Sequence, residues 1–310
     1  MQTIFKKIHS YWLKRKKYDK FLILIFCAYL LISGIFLILH KSPYTPDQFF
    51  IFAFVVVIFT GRAKIFLRDW TQPILLILAY EYLRSVIPKT NPHVYFKFMI
   101  DFDKFIFGQL PTVYLQNLLF SISHLHWYDY FGALLYSSHF TIPLFVAFIF
   151  WLYDKSIFKN YIFSIALVSY MGFLTYLLFP AAPPWLASEQ GMIFPPLQHI
   201  NNIVFGHFSG SISLPTVYKY LGANLVAAVP SLHAAYPLLT SLFLVKKHPK
   251  SLVIMAIYIF AIWFFVIYSG DHYFFDVVLG AIYALVAYYV VKNWGKLKKI
   301  RLNHGSTGNN

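Results

Sequence analysis

Apolar residues in this chain come in runs of 13 to 23 positions divided by short polar or basic stretches, not in the narrow stripes of helices that cover a water-soluble core. Eight runs read as membrane spans, at about 21 to 39, 49 to 61, 71 to 87, 131 to 153, 161 to 179, 231 to 245, 251 to 269 and 274 to 291. Some are shorter than the ~20 residues of a full crossing. The pattern predicts an all-α, polytopic membrane bundle of about eight helices whose core comes mainly from the later six. It divides the chain into a basic N-terminal segment with the first helices (1–60), a membrane domain (61–291) and a basic, polar tail (292–310).

Composition agrees with the pattern. With 59% hydrophobic residues, 34 Phe and 12% charged residues in 310, the chain has too little polar surface to cover its apolar mass in water. A net charge of +15 would suit nucleic acid, but the basic residues sit between the apolar runs, which argues against such a partner and for membrane lipids. An even number of spans puts segments 1–20, 62–70, 154–160, 246–250 and 292–310 on one side, where they hold 20 of the 26 Lys and Arg. By the positive-inside rule that side is cytoplasmic, so both termini are expected inside a plasma (cytoplasmic) membrane.

The connections 40–48, 88–130 and 180–230, with the turn Gly270-Asp271-His272, then face outward. The basic start and the apolar stretch after it have no small-residue cleavage site behind them, so they read as a retained span. A single cysteine, Cys27, allows no intrachain disulfide and no cysteine metal cluster. Val94 to Leu119 is aromatic and amphipathic and is expected flat in the outer interface, as a lid or as filler. Glu81 and Arg84, three residues apart within a span, call for each other, another helix or a water-filled cavity. His124, His126 and Asp129 fit a wet loop better than a metal site, and neither a metal nor a cofactor is expected.

Two strings carry the chemistry: Pro230-Ser231-Leu232-His233 and His272-Tyr273-Phe274-Phe275-Asp276. Each opens an apolar run at its outer end, so the same threading brings both to one face. Ser231 can cap the helix after Pro230, which leaves N–H groups and a positive dipole end available to a phosphate. His272 and Asp276 share a helical face, so the carboxylate can hold one imidazole nitrogen and leave the other as a nucleophile. His272 attacking phosphorus and His233 protonating the leaving oxygen would give phosphoryl transfer through a phosphohistidine.

These strings resemble the second and third motifs of the type 2 phosphatidic acid phosphatase superfamily. Phe179-Pro180-Ala181-Ala182-Pro183-Pro184-Trp185, which by itself is a proline-stiffened turn with an interfacial Trp, is similar to a signature of the branch containing fungal inositol phosphorylceramide synthase. The likeness runs through Arg68-Asp69-Trp70, Ala79-Tyr80-Glu81-Tyr82-Leu83-Arg84 and His126-Trp127-Tyr128-Asp129, most of residues 60 to 291. It implies a six-helix phosphatase-type core, with His272 as nucleophile, Asp276 orienting it, His233 as acid, Ser231 on the phosphate and no cofactor.

The chain departs from the phosphatases in its cations. Thr175 or Tyr176 stands at the Lys of their first motif, Ala182 or Pro183 at its Arg, and Val266 at the Arg before the nucleophile, with Tyr268 and Ser269 the nearest polar groups. Tyr268 and Arg84 are the candidates to hold the phosphate instead, with Lys89 a further cation near the same end. The loss favours a phosphotransferase that passes an inositol phosphate-like headgroup between lipid and alcohol. The alternatives are a phosphatase acting on phosphatidate or a polyprenyl pyrophosphate with water, and a non-catalytic lipid-binding or transport protein.

Overall fold

The computed structural model describes Val57 and residues 62–91, 93–208 and 224–306, with side chains as far as Trp294. The expected spans at 21–39 and, Val57 apart, 49–61 lie outside these residues, as do Cys27 and the end of the tail. The side chain of Lys89 lies outside them too.

The chain divides into two compact units, Met1–Ile74 with Phe208–Val217, and Leu75–His207 with Tyr218–Asn310. In the first, the described residues are few. They begin helix α1 (Ala63–Thr90), where Phe66 stacks on Trp70 with ring centroids 5.4 Å apart. From Leu75 onward α1 belongs to the second unit.

The second unit continues with α2 (Lys97–Phe107), α3 (Pro111–Leu119), α4 (Trp127–Tyr153), α5 (Lys155–Leu178), α6 (Pro184–Glu189), α7 (Ile200–Phe208), α8 (Leu232–Lys247), α9 (Leu252–Tyr268) and α10 (Phe274–Ser306). Among the described residues there is no β-strand; Ala181 makes isolated parallel bridges to Tyr95 and Ala227. Among the described residues, four helices are long and apolar enough to cross a membrane: α4, α5, α9 with the short 3-10 turn before it, and α10 as far as Trp294. At 16 residues α8 is shorter, yet it occupies the middle of the bundle, against α4, α5, α9 and α10. Val253, Ile254, Ile257 and Phe260 of α9 are exposed, which in water would be a liability and in lipid is the ordinary outer face of a bundle. The protein is an integral membrane protein.

Inside the bundle, polar side chains pair with one another or with backbone, as low-dielectric surroundings demand. Tyr161 bonds Thr240 at 2.7 Å, Tyr236 bonds Ser169 at 2.8 Å, Tyr283 bonds Thr175 at 2.8 Å, and the Trp263 indole donates to the Ala234 carbonyl at 3.2 Å. These bonds fix the register of α8 against α5 and α9, and of α10 against α5.

Two features set α10. Its first turn is capped from another helix: buried Asp103 of α2 accepts from the N–H groups of Phe274 at 2.8 Å and Phe275 at 3.0 Å. Burial pushes the Asp103 carboxyl up to about 6, against the lowering effect of those two donors. The second is Gly280, where an added Cβ would stand 2.2 Å from the Ser231 carbonyl oxygen, so α8 and α10 approach as closely as they do because this position has no side chain. Val94 to Leu119, expected as one flat segment, is two helices broken at left-handed Gly108 and restarted at Pro111. The α2 half anchors α10 rather than merely filling space.

Candidate active site

The structure brings both sequence strings to one cavity of about 280 Å3, whose walls include His272, His233, Arg84, His139, His199 and Asp271. The His272 Nδ1 lies 3.0 Å from the Ala228 carbonyl oxygen and 3.3 Å from Asp276 Oδ2. A carbonyl can only accept, so Nδ1 carries the hydrogen, and in the neutral ring Nε2 presents a lone pair. Nε2 in turn lies 3.0 Å from His233 Nδ1, and with neutral His272 that contact requires a hydrogen on His233. Hydrogen bonding therefore orders the pair with a lone pair on one nitrogen and a proton on its neighbour. Asp276 also accepts from the Tyr273 N–H at 2.9 Å, and both it and His272 are almost wholly shielded from solvent.

The backbone places these groups. Gly270, at φ 84°, turns the chain between α9 and α10, and an added Cβ there would stand 3.1 Å from the Gln198 carbonyl oxygen. The N–H groups of both Asp271 and His272 return to the Val266 carbonyl, so the residue standing where phosphatases have an Arg holds the turn through its backbone. On the other side Tyr176, at one candidate Lys position, donates its hydroxyl to the Pro230 carbonyl at 2.8 Å, and Ser231 N–H reaches the Asp276 carbonyl at 3.0 Å. Phe179 to Trp185 is a seam. Ala181 is bridged on both sides, and the Trp185 N–H is bonded to the Gly270 carbonyl at 3.0 Å, while Pro183 and Trp185 reach the cavity.

Not every predicted residue faces the cavity. Ser231 is fully buried, its Oγ accepting from Ala234 N–H at 3.2 Å as the cap of α8, and it is not among the described residues that line the cavity. Tyr268 also lies off the lining; its hydroxyl donates to Asp129 at 2.6 Å, and Asp129 in turn accepts from His126 N–H at 2.8 Å to cap α4. Arg84 does line the cavity, bonded to Glu81 at 2.7 Å and 3.2 Å.

The walls also carry groups that sequence reasoning missed. His139 of α4 packs on the His233 ring with centroids 3.9 Å apart, and its Nδ1 is 2.5 Å from the Tyr136 carbonyl. An ionisable residue inside an apolar span was the available signal. His199 and Asp271, far apart in sequence, bond at 3.1 Å and left no local signal at all.

The family model of the PAP2 superfamily matches residues 111–290. A phosphoinositol dihydroceramide synthase of Bacteroides thetaiotaomicron is 28% identical over 199 residues, 61% of this chain and 65% of that protein. An inositol phosphorylceramide synthase of Candida albicans is 26% identical over 272 residues, 80% of this chain and 54% of that protein. The chain thus spans between about half and just under two thirds of the length of these relatives. No solved structure matches. With the matched model spanning more than half of its length, the chain belongs to the PAP2 superfamily, and within it is similar to these inositol phosphorylceramide synthases.

Proposed function

We propose that the protein is a lipid phosphotransferase that moves an inositol phosphate headgroup from a phospholipid donor to a lipid alcohol of the ceramide class, through a phosphohistidine at His272. The observation that carries this is the ordered contact of His272 Nε2 with His233 Nδ1 at 3.0 Å, with His272 Nδ1 held by Ala228 and Asp276. In the first step Nε2 forms a bond to phosphorus, the bond from phosphorus to the diacylglycerol oxygen breaks, and that oxygen takes the proton of His233. In the second, the acceptor hydroxyl loses its proton to His233, its oxygen bonds phosphorus, and the bond to His272 breaks. Asp276 stabilises the ring as it gains charge. Arg84 supplies positive charge at the cavity wall, with Glu81 setting its direction. Ser231 acts on the phosphate through α8, whose first turn it caps toward the cavity.

Residues 61–291 form the catalytic membrane domain in this reading. The neutral residues at the cation positions of the phosphatases favour an alcohol acceptor over water. Both termini are cytoplasmic and the cavity opens to the outer leaflet, supported by the 20 Lys and Arg on one set of connections. Purified protein given an inositol phospholipid labelled in the headgroup, with ceramide, should yield labelled phosphoinositol ceramide. Release of labelled inositol phosphate alone would make it a hydrolase, and recovery of unchanged donor would make it a binding protein. For the orientation, a cysteine at exposed Glu189 in a Cys27→Ser background should react with an impermeant reagent from outside, and one at Lys247 should not.

A further inference from the structure

Beside the reacting pair lies a second histidine held by a carboxylate. Asp271 is 8% exposed and its carboxylate takes three donors: His199 Nε2 lies 3.1 Å from Oδ1, Asn201 Nδ2 donates to Oδ2 at 2.6 Å, and the Ser269 hydroxyl donates to Oδ2 as well. Because a carboxylate accepts from His199 Nε2–H, in the neutral ring the lone pair falls on Nδ1. Trp185 lies parallel over the ring, 2° between planes and centroids 4.6 Å apart, which fixes its orientation. On the same cavity, Asn224 is 8% exposed; its Oδ1 accepts from Val226 N–H at 3.0 Å, while its Nδ2 has no hydrogen-bond partner among the described residues. A buried amide donor left unpaired costs about 1–3 kcal/mol, and an acceptor entering the cavity, a water or a ligand hydroxyl, would offset that cost.

We propose that His199 and Asn224 form the recognition site for the polyol part of the headgroup, His199 Nδ1 accepting from one hydroxyl and Asn224 Nδ2 donating to another. This rests on the phosphotransferase reading and goes beyond it by assigning the residues that select the headgroup. A hydroxyl both donates and accepts, so a polyol satisfies both wall groups; a quaternary ammonium satisfies neither, and a phosphate oxygen satisfies the amide alone. Asp271 precedes His272 in the chain, so the turn that positions the nucleophile also positions the headgroup. His199 and Asn224 are specificity residues here, with Asp271 and Trp185 positioning His199 and the Val226 N–H holding Asn224.

The test is steady-state kinetics of the full chain in mixed micelles, with phosphatidylinositol as donor and ceramide as acceptor. In His199→Ala and in Asn224→Leu the KM for phosphatidylinositol should rise about tenfold, the equivalent of about 1.4 kcal/mol, while the KM for ceramide stays with that of the parent protein. His199→Gln, which restores a side-chain acceptor, should recover part of the loss. An unchanged donor KM in both variants overturns the proposal, as does a parallel rise of donor and acceptor KM, the mark of a general structural role. A parent protein that transfers no inositol phosphate overturns this proposal together with the phosphotransferase reading; a parent that transfers it, with indifferent variants, overturns this proposal alone.

Discussion

The cavity holds two histidine–carboxylate pairs built from adjacent residues, Asp271 and His272, and they differ in what their free nitrogen meets. In His272–Asp276 the open nitrogen faces another imidazole, His233, at 3.0 Å, and the pair is almost fully buried. In His199–Asp271 the ring lies under Trp185 and no second imidazole is bonded to it among the described residues. In our proposal the same two residue types thus give a nucleophile with its acid in one place and a fixed hydrogen-bonding group in the other. Function follows the third partner more than the pair.

Substitutions should separate the two pairs. The largest effect is expected in the buried pair: His272→Ala removes the attacking atom and should lower turnover by about 10^4-fold or more, measured as labelled product per minute. His233→Ala should lose about 10^2- to 10^4-fold, because the leaving oxygen then departs without a proton. Asp276→Asn should cost less than loss of the nucleophile, about 10^2-fold, since the Ala228 carbonyl still holds the Nδ1 hydrogen. Equal losses in His272→Ala and His199→Ala would erase the distinction.

Gly280→Ala probes the frame common to both pairs. The added methyl group meets the Ser231 carbonyl and should destabilise the protein by about 1–3 kcal/mol, seen as a lower midpoint of thermal unfolding in detergent. The smallest effect concerns Asp103. Its folded-state value of about 6 lies above the ordinary carboxylate range, so its contribution to stability is present at pH 4 and lost as pH rises through 6. The parent protein should therefore lose stability from pH 4 to 7 relative to Asp103→Asn, by at most about 3 kcal/mol. A constant difference between the two across that range would remove Asp103 as a titrating anchor of α10.

The legible part of the fold was whatever depends on local pattern. The runs read at 131–153, 161–179, 231–245, 251–269 and 274–291 return as α4, α5, α8, α9 and α10 with shifted ends, since a helix continues through Lys and Asn once its backbone bonds are made. His272 and Asp276 were legible because i, i+4 spacing places them on one face. His199 with Asp271, and Asp103 with the start of α10, were not, because contacts across 72 and 171 residues leave no periodicity. Tyr268 shows a second limit. Sequence put a polar group near the right place, and only packing determined that its hydroxyl turns to Asp129.

The central claim is that His272 carries the phosphoryl group. Incubating the protein with phosphorus-labelled inositol phospholipid in the absence of acceptor, then treating aliquots with acid and with alkali, tests it most directly. The account predicts a protein-bound label that is acid-labile and alkali-stable, absent from His272→Ala and discharged to phosphoinositol ceramide when ceramide is added. Label of the same stability on His272→Ala, or transfer to ceramide at parental rates without His272, would contradict it.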